Sequence, residues 1–187
     1  MPSVPMIEAV VLTGGKSRRM GVDKATLLVD GEPQAEGMVR LLSEHGLPVT
    51  TLGREPTAGA AFIPDSEEFP GPITALKRFQ PKSQWVFVSS CDLPRFDAAL
   101  IDLLKERIGS QAAAVPVVDG WRQPLCALYR ADAFATLRGL EGQCAMSWID
   151  ALDVVYVSEE ELLRAGLSPN VTRGANTPEE LEQVLRG

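Results

Sequence analysis

Histidine and paired cysteines are what this 187-residue chain has least of. Its one histidine and three scattered cysteines, with no Cys-x-x-Cys pair, are His45, Cys91, Cys126 and Cys144. This pattern excludes a zinc ribbon and a histidine-based catalytic triad, and it disfavours a disulfide framework. No run approaches the ~18 consecutive apolar residues of a membrane span, and residues 1–11 lack the basic start of a signal peptide. We therefore expect a reduced, cytoplasmic protein without a membrane partner.

Positive charge is also scarce, and it is unevenly placed. Lysine and arginine total 18 against 25 acidic residues, a net charge of −7, so the chain as a whole should repel nucleic acid and anionic membranes. Four basic residues nevertheless crowd into nine positions of the stretch AVVLTGGKSRRMGVDK, residues 9–24. A local positive cluster in an acidic protein indicates a small anionic ligand rather than a polyanion.

The order of apolar runs and helical segments predicts the fold class. Strands are predicted at residues 7–13, 47–53, 60–64, 84–90, 111–118, 123–130 and 153–158, the fifth and sixth as a hairpin-like pair or as adjacent strands around a turn. Helices are predicted at residues 33–46, 71–80, 96–109, 131–140, 145–152 and 177–187. This alternation predicts one α/β domain, residues 1–187, with helices on both faces of a mainly parallel sheet. Ligands of such sheets bind beyond the carboxyl ends of the strands.

The glycine-rich stretch matches neither of the common phosphate-binding motifs. If Gly15, Lys16 and Ser17 closed a P-loop, its first glycine would fall at position 10, which is Val10. The dinucleotide pattern G-x-G-x-x-G also fails, because the first two glycines are adjacent and the next is Gly21. The sequence therefore excludes both motifs.

The same residues still suit a phosphate cradle. Gly14 and Gly15 let the backbone approach a ligand closely, with N–H groups free to face it. Arg18 and Arg19 offer forked donors for phosphate oxygens, and Lys24 offers a compact point charge. The alternative is a solvated basic loop whose arginines pair with surplus carboxylates. The combination of glycines with charge favours the cradle.

Two aspartates follow apolar strands and are candidates for a cation or nucleotide contact. Asp92, in FVSSCDLP, should lie at the carboxyl end of its strand, where a carboxylate suits Mg²⁺. Its alternative role is to accept backbone N–H bonds in a turn before Pro94, but a neighbouring phosphate loop favours the metal. Asp65 ends another apolar stretch and could reach the same edge, with a metal role and a structural role equally open.

Four motifs, in the same order along the chain, resemble those of the molybdenum cofactor guanylyltransferases. Residues 12–24, LTGGKSRRMGVDK, are similar to the family's L-A-G-G-x-S-x-R-M-G-x-D-K. Residues 62–76 resemble its D-x(n)-G-P-L-x-G segment, residues 91–94 its C-D-x-P, and residues 175–181 its N-T-P-E-[ED]-L. The resemblance implies a three-layer Rossmann-like nucleotidyltransferase fold with a mainly parallel central sheet.

The resemblance also implies an activity and a set of site residues. The implied reaction transfers GMP from GTP to molybdopterin-bound molybdenum and releases pyrophosphate, with Mg²⁺ as cofactor. Other cofactor-biosynthesis proteins or the apo-molybdoenzyme are the further implied partners. In the family a Gly-Gly loop accompanies guanine nucleotides, so Gly15 favours GTP. The implied catalytic residues are Lys24, Arg19 and Asp92, the last also the metal ligand, and the implied substrate-binding residues are Leu12, Thr13, Gly14, Gly15, Ser17, Arg18, Lys24, Asp65, Asp92 and, for the pterin, Asn176.

Departures from the family pattern keep two alternatives open. Thr13 stands where the family usually has Ala, and TTLGRE carries Thr51 and Gly53 without the usual Asn. Gly174 stands where an Asn is expected, and EPQAEG, residues 32–37, departs from the usual Pro-Leu. One alternative is a CTP- or UTP-dependent nucleotidyltransferase acting on molybdopterin or a sugar phosphate. The other is a non-catalytic nucleotide-binding module.

Overall fold

The computed structural model describes residues 6–14, 28–66, 71–142, 144–175 and 177–186. Its strands are β1 (Ile7–Leu12), β2 (Leu28–Val29), β3 (Glu32–Pro33), β4 (Val49–Gly53), β5 (Ala61–Pro64), β6 (Trp85–Ser90), β7 (Ala113–Val118), β8 (Trp121–Arg122), β9 (Cys126–Arg130) and β10 (Val154–Ser158). Its helices are α1 (Gln34–Glu44), α2 (Pro72–Leu76), α3 (Ala99–Arg107), α4 (Ala133–Gly139), α5 (Ala145–Asp150), α6 (Glu159–Arg164) and α7 (Pro178–Arg186). None of the helices in these ranges is both long and apolar enough to cross a membrane.

The main sheet confirms the predicted, mainly parallel arrangement. Its order is β10-β7-β9-β6-β1-β4-β5, with β8 paired to β7, while β2 and β3 form a separate hairpin. Strand β1 is parallel to both of its neighbours, β4 and β6, and the pairs β4–β5 and β7–β10 are parallel too. Strand β9 is antiparallel to β6 and β7. Strands β4 and β5 extend the sheet on one side of β1, and β6, β9, β7 and β10 extend it on the other. The strand order therefore reverses at β1, and the crevice at its end is a topological switch point.

The central strands are buried on both faces, which is why β1 is continuously apolar from Ala9 to Leu12 and β6 from Trp85 to Val88. Along β1, Ala9 and Val11 pack into a cluster with α1, α3 and α6, whereas Val10 and Leu12 pack into a cluster with α2, α4 and α5. This alternation follows from the two-residue period of a strand. It places helices on both faces of the sheet and gives the expected three layers.

One predicted helix ends earlier than expected, whereas another begins where it was predicted. The helix expected at residues 71–80 starts after Gly71, whose φ is 79°, but it ends at Leu76. A tighter turn follows, in which the N–H of Phe79 donates to the carbonyl of Leu76. Pro81 disfavours helical geometry at Gln80, which argues against the predicted end at residue 80, but the stop at Leu76 itself has no structural explanation. Helix α7 begins as expected, with the Thr177 hydroxyl accepting from the N–H of Glu180 at 3.0 Å.

The segment between residues 111 and 130 combines both of the predicted arrangements. Asp119 and Gly120 have φ values of 53° and 75°, and they form the two-residue turn of a β7–β8 hairpin. The other end of β7 pairs with β9 at Ala113 and Ala114. Helix α6 was not predicted, although Ser158 and Glu161 cap it reciprocally.

Candidate functional site

The ends of β1 and β6 bring the start of the first motif, residues 12–14, and the third motif, residues 91–94, to one edge of the sheet. Leu12 lies in register with Ser90, and the N–H of Cys91 donates to the carbonyl of Leu12 at 3.1 Å. Residues 12–14 lie at the carboxyl end of β1 and just beyond it, and Asp92 follows β6, so both lie at the same end of two adjacent parallel strands. This is where a parallel sheet places its ligands.

Thr13 and Gly53 form one packing unit at this edge. The N–H of Thr13 donates to the carbonyl of Leu52 at 2.9 Å, and the Thr13 hydroxyl donates to the same oxygen at 3.2 Å. A Cβ atom on Gly53 would lie 2.2 Å from Thr13 Oγ1 and 3.0 Å from the backbone nitrogen of Gly14. The hydroxyl at position 13 thus occupies the space that a side chain at position 53 would need. Two departures from the family pattern, 40 residues apart in sequence, are a single steric arrangement.

Asp65 lies against Gly14, at the far side of the same edge. Its N–H donates to the carbonyl of Gly53 at 2.8 Å, and a Cβ atom on Gly14 would lie 2.8 Å from Asp65 Oδ2. Partial burial raises the pKa of the Asp65 carboxyl above its ordinary value, while the charges of Arg78 and Arg54 act in the opposite direction. The structure therefore brings the predicted Asp65 and Gly14 into direct contact.

The segment before the fourth motif lies against Asp92. The N–H of Ala175 donates to the carbonyl of Asp92 at 2.9 Å. A Cβ atom on Gly174 would lie 3.7 Å from Asp92 Oδ1, which is an ordinary van der Waals distance. The preceding residue, Arg173, pairs with Asp119 in the β7–β8 turn. The C-terminal segment and the hairpin are thereby joined to the loop that carries the predicted metal ligand.

The residues at this edge suit a cation that substrate helps to bind. In the described ranges no three side chains of His, Cys, Asp or Glu converge as a preformed metal site. Asp92 is half-buried two residues after β6 ends, and the backbone bonds from Cys91 to Leu12 and from Ala175 to Asp92 position its loop. Mg²⁺ is commonly held by only one or two protein carboxylates together with phosphate oxygens and water. A single strand-end carboxylate fits that kind of site.

Several predicted site residues lie outside the described residues. They are Gly15, Ser17, Arg18, Arg19, Lys24 and Asn176. Their roles stay predictions.

Arg54 and Arg78 lie at the site although no sequence motif marks them. Both carry charges that act on the Asp65 carboxyl, and Arg78 also donates to the carbonyl of Pro64, the residue before Asp65. Arg54 follows β4 directly, so a basic residue just past a strand end was the available signal. Arg78 carried no comparable signal, because it lies in a turn after α2.

Comparison with known proteins identifies relatives across the chain. The family model described as the MobA-like NTP transferase domain matches residues 9–155. A protein of Natronomonas pharaonis named probable molybdenum cofactor guanylyltransferase is 30% identical over 194 residues, covering 94% of this chain and 95% of that protein.

Solved structures share the fold at lower sequence identity. Molybdopterin-guanine dinucleotide biosynthesis protein A from Archaeoglobus fulgidus superposes with a TM-score of 0.75 at 23% identity, covering 95% of this chain and 96% of that one. The Rv0371c complex with manganese from Mycobacterium tuberculosis superposes with a TM-score of 0.71 at 15% identity, covering 98% and 100% of the two chains. These two similarities support the fold alone.

Proposed function

The chain belongs to the MobA-like NTP transferase domain family of nucleotidyltransferases, and from that premise we propose that it transfers GMP from GTP to molybdopterin-bound molybdenum cofactor, with release of pyrophosphate. One observation carries the proposal. Residues 12–14, Asp65 and Asp92 converge at the carboxyl edge of the sheet, where its strand order reverses. The relative from Natronomonas pharaonis, which is named probable molybdenum cofactor guanylyltransferase, supports the choice of reaction.

The proposed chemistry needs little beyond positioning and charge. The acceptor is a phosphate monoester, already anionic at neutral pH, so no strong general base is required. The scarcity of histidine is therefore compatible with this reaction. The remaining tasks are to align the acceptor with the α-phosphate and to stabilise the departing pyrophosphate.

The described residues would bind the nucleotide at the ends of β1, β4 and β5. Residues 12–14 would contact the nucleotide through their backbone, and Asp65 would contact it from the opposite side of Gly14. The Thr13 hydroxyl donates its hydrogen bond to the carbonyl of Leu52, so it can act towards a ligand only as a hydrogen-bond acceptor. Thr13 and Gly53 would therefore give the base-binding surface of this chain a shape different from that of relatives with Ala and Asn at these places.

Asp92 would hold Mg²⁺, and the backbone bond from Ala175 would fix the loop that carries it. When bound, Mg²⁺ supplies charge neutralisation at the phosphate oxygens. The manganese complex of the Mycobacterium tuberculosis protein supports a divalent cation in this fold.

The remaining roles fall on the glycine-rich stretch and the C-terminal motif. Lys24 would stabilise the α-phosphate during transfer, and Ser17, Arg18 and Arg19 would bind the outer phosphates together with the Gly14 and Gly15 amides. Asn176 would contact the pterin, and the protein that delivers molybdopterin or the apo-molybdoenzyme would be a further partner. These assignments rest on the matched motif positions.

Two substitutions test the assignment of the reacting centre. We expect Asp92→Ala and Lys24→Ala each to lower turnover by ~10²–10³, about 3–4 kcal/mol of transition-state stabilisation, with an unchanged melting temperature. Asp153→Ala is the matched control, because this exposed aspartate precedes β10 at the opposite edge of the sheet. Near-normal turnover of Asp92→Ala in saturating Mg²⁺ would remove the metal assignment.

A CTP- or UTP-dependent transfer is the second candidate, and the Thr13–Gly53 arrangement favours keeping it. Gly53 offers no side-chain amide for reading a guanine edge. Calorimetric titration with GTP, CTP and UTP in the presence of Mg²⁺ separates the candidates. A clear preference for CTP or UTP contradicts GMP transfer, and tight GTP binding without pyrophosphate release on addition of acceptor indicates a non-catalytic module.

A further inference from the structure

A pocket lies on the α1 side of the sheet, outside the predicted nucleotide contacts. It has a volume of about 300 Å³ and lies between the start of α1, the β2–β3 hairpin and the loop after β6. The lining residues that matter here are Gln34, Met38, Leu41, Cys91, Leu93 and Pro94. Because Cys91 and Leu93 are the chain neighbours of Asp92, the pocket adjoins the residue proposed to hold Mg²⁺.

Gln34 is the anomalous residue of this pocket. It is the first residue of α1 and only 5% exposed, yet neither its Oε1 nor its Nε2 has a hydrogen-bond partner within the described part of the chain. Burying both ends of an unpaired amide is unfavourable, and native proteins seldom retain such a group without a reason. An apolar side chain would fill the same position at no such cost. The amide at position 34 is therefore better explained by a ligand than by packing.

The charges around the pocket indicate an uncharged ligand group. Among the described lining residues the one arginine, Arg40, is bound to Glu32 at 3.0 Å and to Glu44 at 3.2 Å, so its charge is already compensated. Asp30 adds negative charge to the described lining. A phosphate would be repelled here, whereas the side chains of Met38, Leu41, Leu93 and Pro94 offer apolar surface to the faces of a ring.

We propose that this pocket binds a planar, uncharged heterocycle with a lactam edge, a ring N–H beside a C=O, which pairs with the amide of Gln34. Oε1 accepts from the ring N–H, and Nε2 donates to the adjacent carbonyl. Both amide atoms are covered, so pairing requires the Gln34 side chain to turn into the pocket. A volume of about 300 Å³ is at the lower end of the ~300–1,000 Å³ range of ligand pockets, which suits one bicyclic ring.

Both substrates of the proposed reaction contain such a lactam edge, GTP in its guanine and molybdopterin in the pyrimidinone ring of its pterin. The choice of these two ligands rests on the proposed function. The nucleotide contacts proposed above lie at the ends of β1, β4 and β5. The pocket adjoins the loop after β6, which lies on the other side of β1. A ring bound beside Leu93 would therefore approach Asp92 from the side opposite to Asp65. This placement favours the acceptor ring.

Equilibrium binding to the full chain tests the proposal without requiring turnover. The probes are pterin (2-amino-4-oxopteridine), followed by its own fluorescence, and GTP with Mg²⁺, followed by calorimetry. In Gln34→Leu we expect pterin to bind about 10- to 100-fold more weakly, because two amide hydrogen bonds are lost, with GTP affinity unchanged. The same substitution should raise the melting temperature of the unliganded protein by about 2–8 °C, because a buried unpaired amide is removed.

Control variants separate this effect from general disturbance of α1. Glu36→Leu introduces the same side chain at an exposed position of the same turn, outside the pocket lining, and should leave both affinities unchanged. Gln34→Met keeps the length of the side chain without the amide and replaces Gln34→Leu if that variant does not fold.

The outcomes distinguish the two ligands and the two proposals. Loss of pterin binding alone supports the acceptor ring, and loss of GTP binding alone supports the same pocket with guanine as its occupant. Unchanged affinities for both probes in a folded Gln34 variant, or no binding of either probe to the unmodified protein, overturn the proposal. If pterin binds through Gln34 but no pyrophosphate is ever released, the proposed reaction fails while the pocket assignment stands.

Discussion

Substitution of Gly53 by alanine should destabilise the site edge through one identifiable contact. The new Cβ would lie 2.2 Å from Thr13 Oγ1, so the Thr13 side chain has to move away from the carbonyl of Leu52. Overpacking of this kind costs about 1–3 kcal/mol, and the lost hydroxyl bond adds about 0.5–1.5 kcal/mol. For a chain of this size, that sum lowers the melting temperature by about 3–18 °C.

A double-mutant cycle identifies Thr13 as the obstacle. Thr13→Ala alone should lower the melting temperature by only about 1–6 °C, since it removes a single hydroxyl bond. In the double variant the 2.2 Å contact is absent and only the 3.0 Å approach to the nitrogen of Gly14 remains. The double variant should therefore be more stable than Gly53→Ala alone, with a coupling free energy of about 1–3 kcal/mol.

Thermal unfolding of the four proteins, followed by circular dichroism, measures this coupling. If the double variant loses the sum of the two single losses, Thr13 does not occupy the space beside Gly53 and the packing unit described here is wrong. A parallel GTP titration shows whether the same pair shapes the nucleotide site.

Three further predictions concern other parts of the site and of the core. Gly174→Asn should fold with a melting temperature within about 2 °C of the unmodified protein, because its Cβ would lie 3.7 Å from Asp92 Oδ1, which leaves room for it. The added amide should then raise the Mg²⁺ concentration for half-maximal activity by about 3- to 10-fold. Asp65→Asn should stabilise the protein at neutral pH, since burial raises the pKa of this carboxyl and disfavours its charged form; the advantage should vanish in denaturant titrations below about pH 4, where the aspartate is protonated in both folded and unfolded states. In the native protein only Cys144 should react rapidly with a thiol reagent, because the other two cysteines are buried; a second fast thiol would show that a buried cysteine opens to solvent.

Much of the fold could be predicted because its central strands carry unusually direct signals. Strand β1 is apolar from Ala9 to Leu12 and β6 from Trp85 to Val88, and polar residues follow each run, so their place in the middle of the sheet and the position of Asp92 followed from the sequence. Helix α7 was marked by Thr177 and Pro178 at its start. The three-layer arrangement then followed from alternation of strands and helices.

The remaining features depend on register and on contacts that sequence spacing does not encode. The meeting of Thr13 with Gly53 requires Leu12 to align with Leu52 across two parallel strands, and nothing in either segment specifies that alignment. Strand β9 is an apolar run whose direction cannot be told from its composition. The unpaired amide of Gln34 is visible only once α1 is packed against the sheet.

A pyrophosphate-release assay tests the central claim most directly. The purified chain is supplied with Mg²⁺ and, in turn, GTP, CTP, UTP or ATP, with and without molybdopterin-bound molybdenum cofactor. We predict stoichiometric release with GTP only when the acceptor is present, and at least ~10²-fold less release from Asp92→Ala under the same conditions. Release with CTP or UTP in preference to GTP, or no release with any nucleotide while GTP still binds, would contradict the proposed transfer of GMP.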